Sequence, residues 1–153
     1  MAFVKAICIS AATGGETVVV DAVDAIAGQG LKGDRYLGVT TSPLRQLTLI
    51  ESELIDQFNH DTKSVVPYQA FRRNVITKGI KLNNLVGVVF CIGEVTVLGT
   101  ELCEPCRPLQ ERLGIPSLVK RLAHKGGLCC KIMSGGTIRT KDKVYVDGEY
   151  AAG

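Results

Sequence analysis

The stretch Glu101-Leu-Cys-Glu-Pro-Cys-Arg-Pro-Leu-Gln-Glu-Arg-Leu113 carries the residues whose types and spacing most plainly do chemistry, a C-x-x-C pair at Cys103 and Cys106. Such a pair can supply two metal ligands, cycle between dithiol and disulfide, or present one activated thiolate. The thiolate is the form that attacks or ligates. A free cysteine with a pKa of about 8.5 is only about 3% thiolate at neutral pH, whereas a shift to about 7 makes it about half. Cys106 is followed by Arg107 and stands before a helix signal at Pro108, whose unpaired N–H groups and dipole favour negative charge. Cys103 lies between Glu101 and Glu104, which disfavour it. The sequence therefore favours Cys106 as the more acidic thiol.

Two other uses of the pair compete with a lone nucleophile. A structural zinc site needs two further ligands. Cys129 and Cys130 are adjacent on an expected strand and so face opposite ways, which leaves His124 as the remaining nearby ligand type. A cofactor-free redox or binding module that uses Cys103 and Cys106 as a reversible dithiol is the stronger rival. Cys-Glu-Pro-Cys is similar to the thioredoxin-type motif, but only seven residues separate Cys106 from Gly114-Ile-Pro-Ser117, too few for that fold's intervening helix and strands.

The elements that must position these residues read as strands. Short β-branched segments bounded by glycine recur at 4–10, 17–23, 47–50, 71–77, 88–92, 95–99, 128–133 and 143–146. The gaps rarely hold a helix with a 3.6-residue apolar period, so antiparallel pairing and a barrel are expected. Three segments read as helices. Residues 51–58 put Leu54, Ile55 and Phe58 on one face, while 108–113 and 116–123 each open with proline around the break at Gly114. Cys8 and Cys91 fall in apolar strands and read as core.

A length of 153 residues gives one domain, 1–153, with no linker or internal repeat. Eighteen Lys and Arg against fifteen Asp and Glu leave a net charge of +3, too little clustered charge for a nucleic-acid partner. With 46% hydrophobic and 22% charged residues the chain is not disordered. Its longest nearly apolar run, 85–93, is far short of the roughly 20 residues of a membrane-spanning helix. Lys5 interrupts the apolar N-terminus, which does not read as a secretion signal. A reducing cytoplasm is the expected compartment, with the six cysteines as thiols rather than disulfides.

Several ordered segments resemble one family. Pro105-Cys106-Arg107-Pro-Leu109 after Phe90-x-Ile-Gly-Glu-x-Thr-Val-Leu98 looks like the cysteine segment of the MOSC domain, the C-terminal domain of molybdenum cofactor sulfurases. Gly30-Leu-Lys-Gly-Asp-Arg-Tyr36 resembles the family's G-x-x-G-D-R-H/Y loop, and Arg45-Gln-Leu-Thr-Leu-Ile-Glu51 the strand-to-helix element after it. Phe71-Arg-Arg-Asn-Val75, Gly79-Ile-x-Leu82, Leu85-x-Gly87, His124-Lys-Gly-Gly127 and Gly136-x-Ile138 follow in the family's order, so the likeness runs over about 4–147. The length is that of the stand-alone bacterial members rather than the long eukaryotic sulfurases, whose pyridoxal-phosphate domain has no counterpart in these residues. Tyr36 stands where many members have His, Cys103 adds a second thiol, and Thr140-Lys-Asp142 replaces the usual Gly-Asp ending.

The resemblance implies a mainly β fold, a MOSC-like β-barrel with a few short helices. It also implies that Cys106 carries persulfide sulfur or ligates the molybdenum of a molybdopterin cofactor. A sulfur donor or acceptor protein, or molybdopterin itself, would be the partner, and whether the chain is an enzyme stays open. Cys103 could resolve a persulfide by forming a disulfide. A pterin phosphate would need convergent donors, and Arg72, Arg73 and Asn74 on one expected strand, with Arg35 and Lys32 in the glycine loop, are the available set. Strand alternation would put Arg72 and Asn74 on one face and Arg73 on the other. Asp34 is expected to order its loop or pair with Arg35, and His124 to serve a helix end.

Overall fold

The computed structural model describes residues 1–12, 14–38 and 44–146. The β-branched runs form strands β1 (Phe3–Ile9), β2 (Val18–Val20), β3 (Ala22–Ile26), β4 (Gly30–Leu31), β5 (Leu47–Glu51) and β6 (Val75–Lys78). They continue as β7 (Val89–Ile92), β8 (Val95–Leu102), β9 (Leu128–Ser134), β10 (Gly136–Arg139) and β11 (Val144–Tyr145). Helices α1 (Ser52–Thr62), α2 (Arg107–Leu113) and α3 (Leu118–Arg121) and two 3-10 turns, Tyr68–Phe71 and Leu82–Leu85, complete the described elements.

Eight strands make one sheet in the order β11-β7-β8-β9-β5-β6-β1-β2, and β10-β3-β4 make a second. The strand ladders are antiparallel except for β5 with β6, which α1 joins by a crossover. The mainly β reading with a few helices therefore stands. The ladders themselves run open, and closure toward the expected barrel consists of one bridge, Phe3 to Lys143. There Val4 N–H donates to the Asp142 carbonyl at 2.8 Å and Val144 N–H to the Ala2 carbonyl at 3.1 Å.

Two apolar clusters fill the interior. One lies within the sheets around Ile7, Leu47, Leu49, Phe90, Val97 and Leu128. The other seats the helices on the sheet, with Ile55 and Phe58 of α1, Leu109 of α2 and Leu118 of α3 packed on Phe71 and Ile76. Phe58 and Phe71 meet edge to face with centroids 5.7 Å apart. Leu109 is the anchor that sets α2, and with it Cys106, against the sheet.

The structure departs from the sequence expectations at identifiable places. The run 17–23 breaks at Asp21 into β2 and β3, which belong to different sheets. The expected strand 71–77 begins only at Val75, because Phe71 closes a 3-10 turn and Arg72 is left-handed, with φ 62°. Helix α1 runs four residues beyond Phe58, to a left-handed Lys63. The helix expected over 116–123 shortens to α3. Strands β4 and β10, each opening on a glycine, were not among the expected strands.

Candidate functional site

The loop after β8 is built to hold Cys106 at the surface. Cys103 N–H donates to the Gly127 carbonyl at 2.8 Å, and its side chain is bonded to Cys129 of β9 in a disulfide with the Cα atoms 5.6 Å apart. Both bridge residues are fully buried. The expectation that all six cysteines are thiols is thereby corrected: β9 lies beside β8, and Cys103 is paired across to it. Cys106 remains free and exposed. It caps α2, and its carbonyl accepts from Gln110 N–H at 3.1 Å. A Cβ at Gly126 would collide with the Cys103 carbonyl and crowd Pro105, so the close approach of 124–127 to this loop requires glycine there. On that neighbouring segment His124 grips Glu104, its backbone N–H at 2.7 Å and its Nδ1 at 2.8 Å from the carboxylate.

Cys106 opens onto a cavity of about 340 Å³ with a partly apolar lining, Phe71, Pro108 and Leu109, and with Arg35, Arg45, Arg72, Arg73 and Arg112 around it. Their partners differ. Arg35 donates to Asp34 at 3.3 Å and to the Arg72 carbonyl at 3.3 Å, and its guanidinium lies 4.4 Å from the Tyr36 ring centroid. Arg72 donates to the Gly15 carbonyl, Thr17 Oγ1 and Ser10 Oγ, tying down the 10–17 loop. Arg73 donates from Nε to the Gly126 carbonyl at 2.8 Å and from Nη2 to the carbonyls of Cys103 and Glu104, both at 3.4 Å. Arg112 makes two long contacts of 3.4 Å to one carbonyl, that of Gly14. Arg45 has no hydrogen-bonding or ion-pair partner among the described residues.

So many like charges disturb one another. Burial, and then the Arg45 charge, push the Arg73 guanidinium down to about 10, while Cys106 acts in the opposite sense. Burial also lowers Arg72, with Arg35 and Arg112 adding to the effect. Asp34 accepts from Ser10 N–H at 3.0 Å and pairs with Arg35, so it offsets one cation and orders its loop, as expected. The surplus is positive.

Among the site residues read from sequence, Cys106, Arg35, Arg72 and Arg73 meet at this cavity. Four do not line it, one being Asp34, which stands behind Arg35. Asn74 is buried on the other side, its Oδ1 accepting from Thr48 N–H at 3.0 Å and Thr48 Oγ1 at 3.1 Å, and its Nδ2 donating to the Cys8 carbonyl at 3.2 Å. The left-handed Arg72 breaks the strand alternation, which is why Arg72 and Arg73 both reach the cavity and Asn74 does not. Lys32 is exposed in the glycine loop and Cys103 is fully buried, and neither lines the cavity. Arg45 and Arg112 were not singled out as site residues. The Pro108–Leu113 helix behind Cys106 was a usable signal for Arg112, whereas nothing local marks Arg45.

Comparisons with known proteins bear on the fold and the family. The YuaD protein from Bacillus subtilis superposes with a TM-score of 0.78 at 18% identity, over 94% of this chain and 93% of that one. YiiM from Geobacillus stearothermophilus gives 0.74 at 16% identity over 95% and 75% of the two chains, and YiiM from Escherichia coli 0.68 at 21% over 92% and 69%. At these identities the likeness is one of fold. No curated protein matches the chain in sequence. The family model for the MOSC domain matches residues 37–145, and the chain belongs to that family.

Proposed function

We propose that the cavity binds a phosphate-bearing cofactor of the molybdopterin class, with Cys106 as the thiolate that ligates its metal or carries sulfur toward it. The MOSC family is associated with molybdenum cofactor binding or sulfur transfer. The observation that carries the reading is a free, exposed thiol sharing one cavity with five guanidinium groups. Their mutual repulsion is relieved by an anion, and planar guanidinium forks suit phosphate oxygens. A thiolate is a soft donor that suits such a metal, and one cysteine leaves the other positions to the cofactor. The bound group would supply a redox-active molybdenum centre.

The residues of this chain divide the work. Arg35, Arg72 and Arg73 hold the 10–17 and 103–106 loops around the cavity, while Arg45 and Arg112 have donors to offer an anion. For sulfur transfer, the Cys106 thiolate attacks the outer sulfur of a sulfane donor; the donor leaves as its thiolate, and Cys106 keeps the persulfide. The same proposal takes residues 1–153 as one domain, with Phe3 and Lys143 as the seam of a β-barrel. Among the described residues no helix is long and apolar enough to cross a membrane, and a cytoplasmic setting remains part of the proposal.

The test incubates reduced protein with molybdopterin and molybdate, or with a sulfane donor, and reads metal content and intact mass. Molybdenum or an added sulfur should appear on wild type and be lost in Cys106→Ala. Equal loading of the two proteins would overturn the assignment.

A further inference from the structure

The cysteines pose a problem of access. The Cys103–Cys129 bridge is fully buried at both ends, so a thiol in solution has no direct path to either sulfur. Thiol–disulfide exchange nevertheless requires a thiolate to reach a bridge sulfur. Among the described free cysteines, Cys8 and Cys130 are buried, and burial pushes the Cys8 thiol up to about 11 and the Cys130 thiol higher still. Cys91 is half-buried on β7 beside Thr96. Cys106 alone is exposed, and it lies three residues from Cys103 in the same loop.

We propose that Cys106 is the gateway to the buried bridge, with Cys103 alternating between Cys129 and Cys106. In the first step the Cys106 thiolate attacks Cys103 Sγ; the Cys103–Cys106 bond forms, the Cys103–Cys129 bond breaks, and Cys129 leaves as a thiolate that takes up a proton. No electrons are gained or lost. A low-molecular-weight thiol then attacks the Cys106 sulfur, releasing Cys103 as a thiol and leaving a mixed disulfide on Cys106, and a second thiol attacks the sulfur of that small group, freeing Cys106 as the small-molecule disulfide departs. The net change oxidises two small thiols to their disulfide and reduces the bridge to two protein thiols.

The loop is held in a way that permits this. Three residues span at most about 11 Å, and a disulfide needs Cα atoms about 4.4–6.8 Å apart, a separation that Cys103 and Cys106 can reach through Glu104-Pro105. Cys103 N–H to the Gly127 carbonyl at 2.8 Å and His124 N–H to Glu104 at 2.7 Å hold the loop, and its other contacts are weaker. The Arg73 contacts to the Cys103 and Glu104 carbonyls are long at 3.4 Å, and the Glu104–His124 pair is solvent-exposed. The exchange stands independently of the proposed cofactor. Its consequence for function rests on that reading: when Cys103 is bonded to Cys106, the cavity has no thiol to offer, so the bridge would gate loading.

The experiment treats natively folded, oxidised protein with a low concentration of 2-mercaptoethanol, quenches in acid, and maps alkylated and disulfide-linked peptides by mass spectrometry. Wild type should pass through a Cys103–Cys106 species with alkylated Cys129, and lose the Cys103–Cys129 bridge at least ten times faster than Cys106→Ser. Wild-type protein alkylated at Cys106 before reduction should be as slow as the variant, which covers the case in which Cys106→Ser misfolds. Equal reduction rates with Cys106 blocked, or no Cys103–Cys106 species, would overturn the proposal, as would aerobically purified protein lacking the buried bridge. None of these results depends on molybdenum or persulfide loading, so the two proposals fail separately.

Discussion

Five arginines share one cavity, and their bonding partners separate those that build it from those that can meet a ligand. Arg72 and the buried Asn74 belong to the first kind, since each holds loop or strand backbone through several hydrogen bonds. Arg72→Ala and Asn74→Ala should each lower stability by about 1–3 kcal/mol, because buried donors and acceptors lose their partners. Arg45→Ala and Arg112→Ala should behave oppositely, changing the unfolding free energy by no more than about 0.5 kcal/mol while weakening inorganic pyrophosphate binding about tenfold. Calorimetric titration and urea unfolding of the four variants separate the groups; unchanged pyrophosphate binding in both Arg45 and Arg112 variants would reject the division. Strand alternation made Asn74 a companion of Arg72, because the left-handed turn at Arg72 leaves no trace in the residue pattern.

At the level of elements, the approach of the 124–127 segment to the 103–106 loop and the placement of α2 decide where Cys106 sits. Gly114 ends α2 at φ 67° with open space around its Cα, so Gly114→Ala should cost about 1 kcal/mol from backbone conformation alone. Gly126→Ala meets the Cys103 carbonyl and Pro105 instead, and should cost more while changing the rate at which iodoacetamide modifies Cys106. Urea unfolding and the alkylation rate together check both, and an unaltered Cys106 rate in Gly126→Ala would show that the segments can part freely. Both α2 and the strands carrying the core were legible in the sequence, because proline, glycine and β-branched runs are local signals. The bridge was not, since Cys103 and Cys129 lie 26 residues apart and become neighbours only when β8 pairs with β9.

For the whole molecule, buried thiols should erode stability at alkaline pH. An unfolded cysteine ionises near 9.0, whereas burial keeps the proton on folded Cys8 to about 11. Between these values the unfolded chain has lost a proton that the folded one retains, so stability is full below the window and falls as pH rises through it. Cys130 acts in the same direction, and Tyr68, raised by burial and by Asp56 to about 12, adds to it at higher pH. Urea unfolding from pH 8 to 11 should show this decline, and replacing Cys8 and Cys130 by alanine should flatten it; an unchanged slope would place its cause elsewhere. By itself the sequence determined the mainly β architecture and the helix that follows Cys106, because hydrophobic period and capping residues act over a few neighbours. The partner of Cys103, the withdrawal of Asn74 from the cavity and the gathering of Arg45 and Arg112 with Arg35, Arg72 and Arg73 were decided only in tertiary structure. Those contacts join residues from distant parts of the chain, and strand pairing and helix packing choose among them where no short-range preference can.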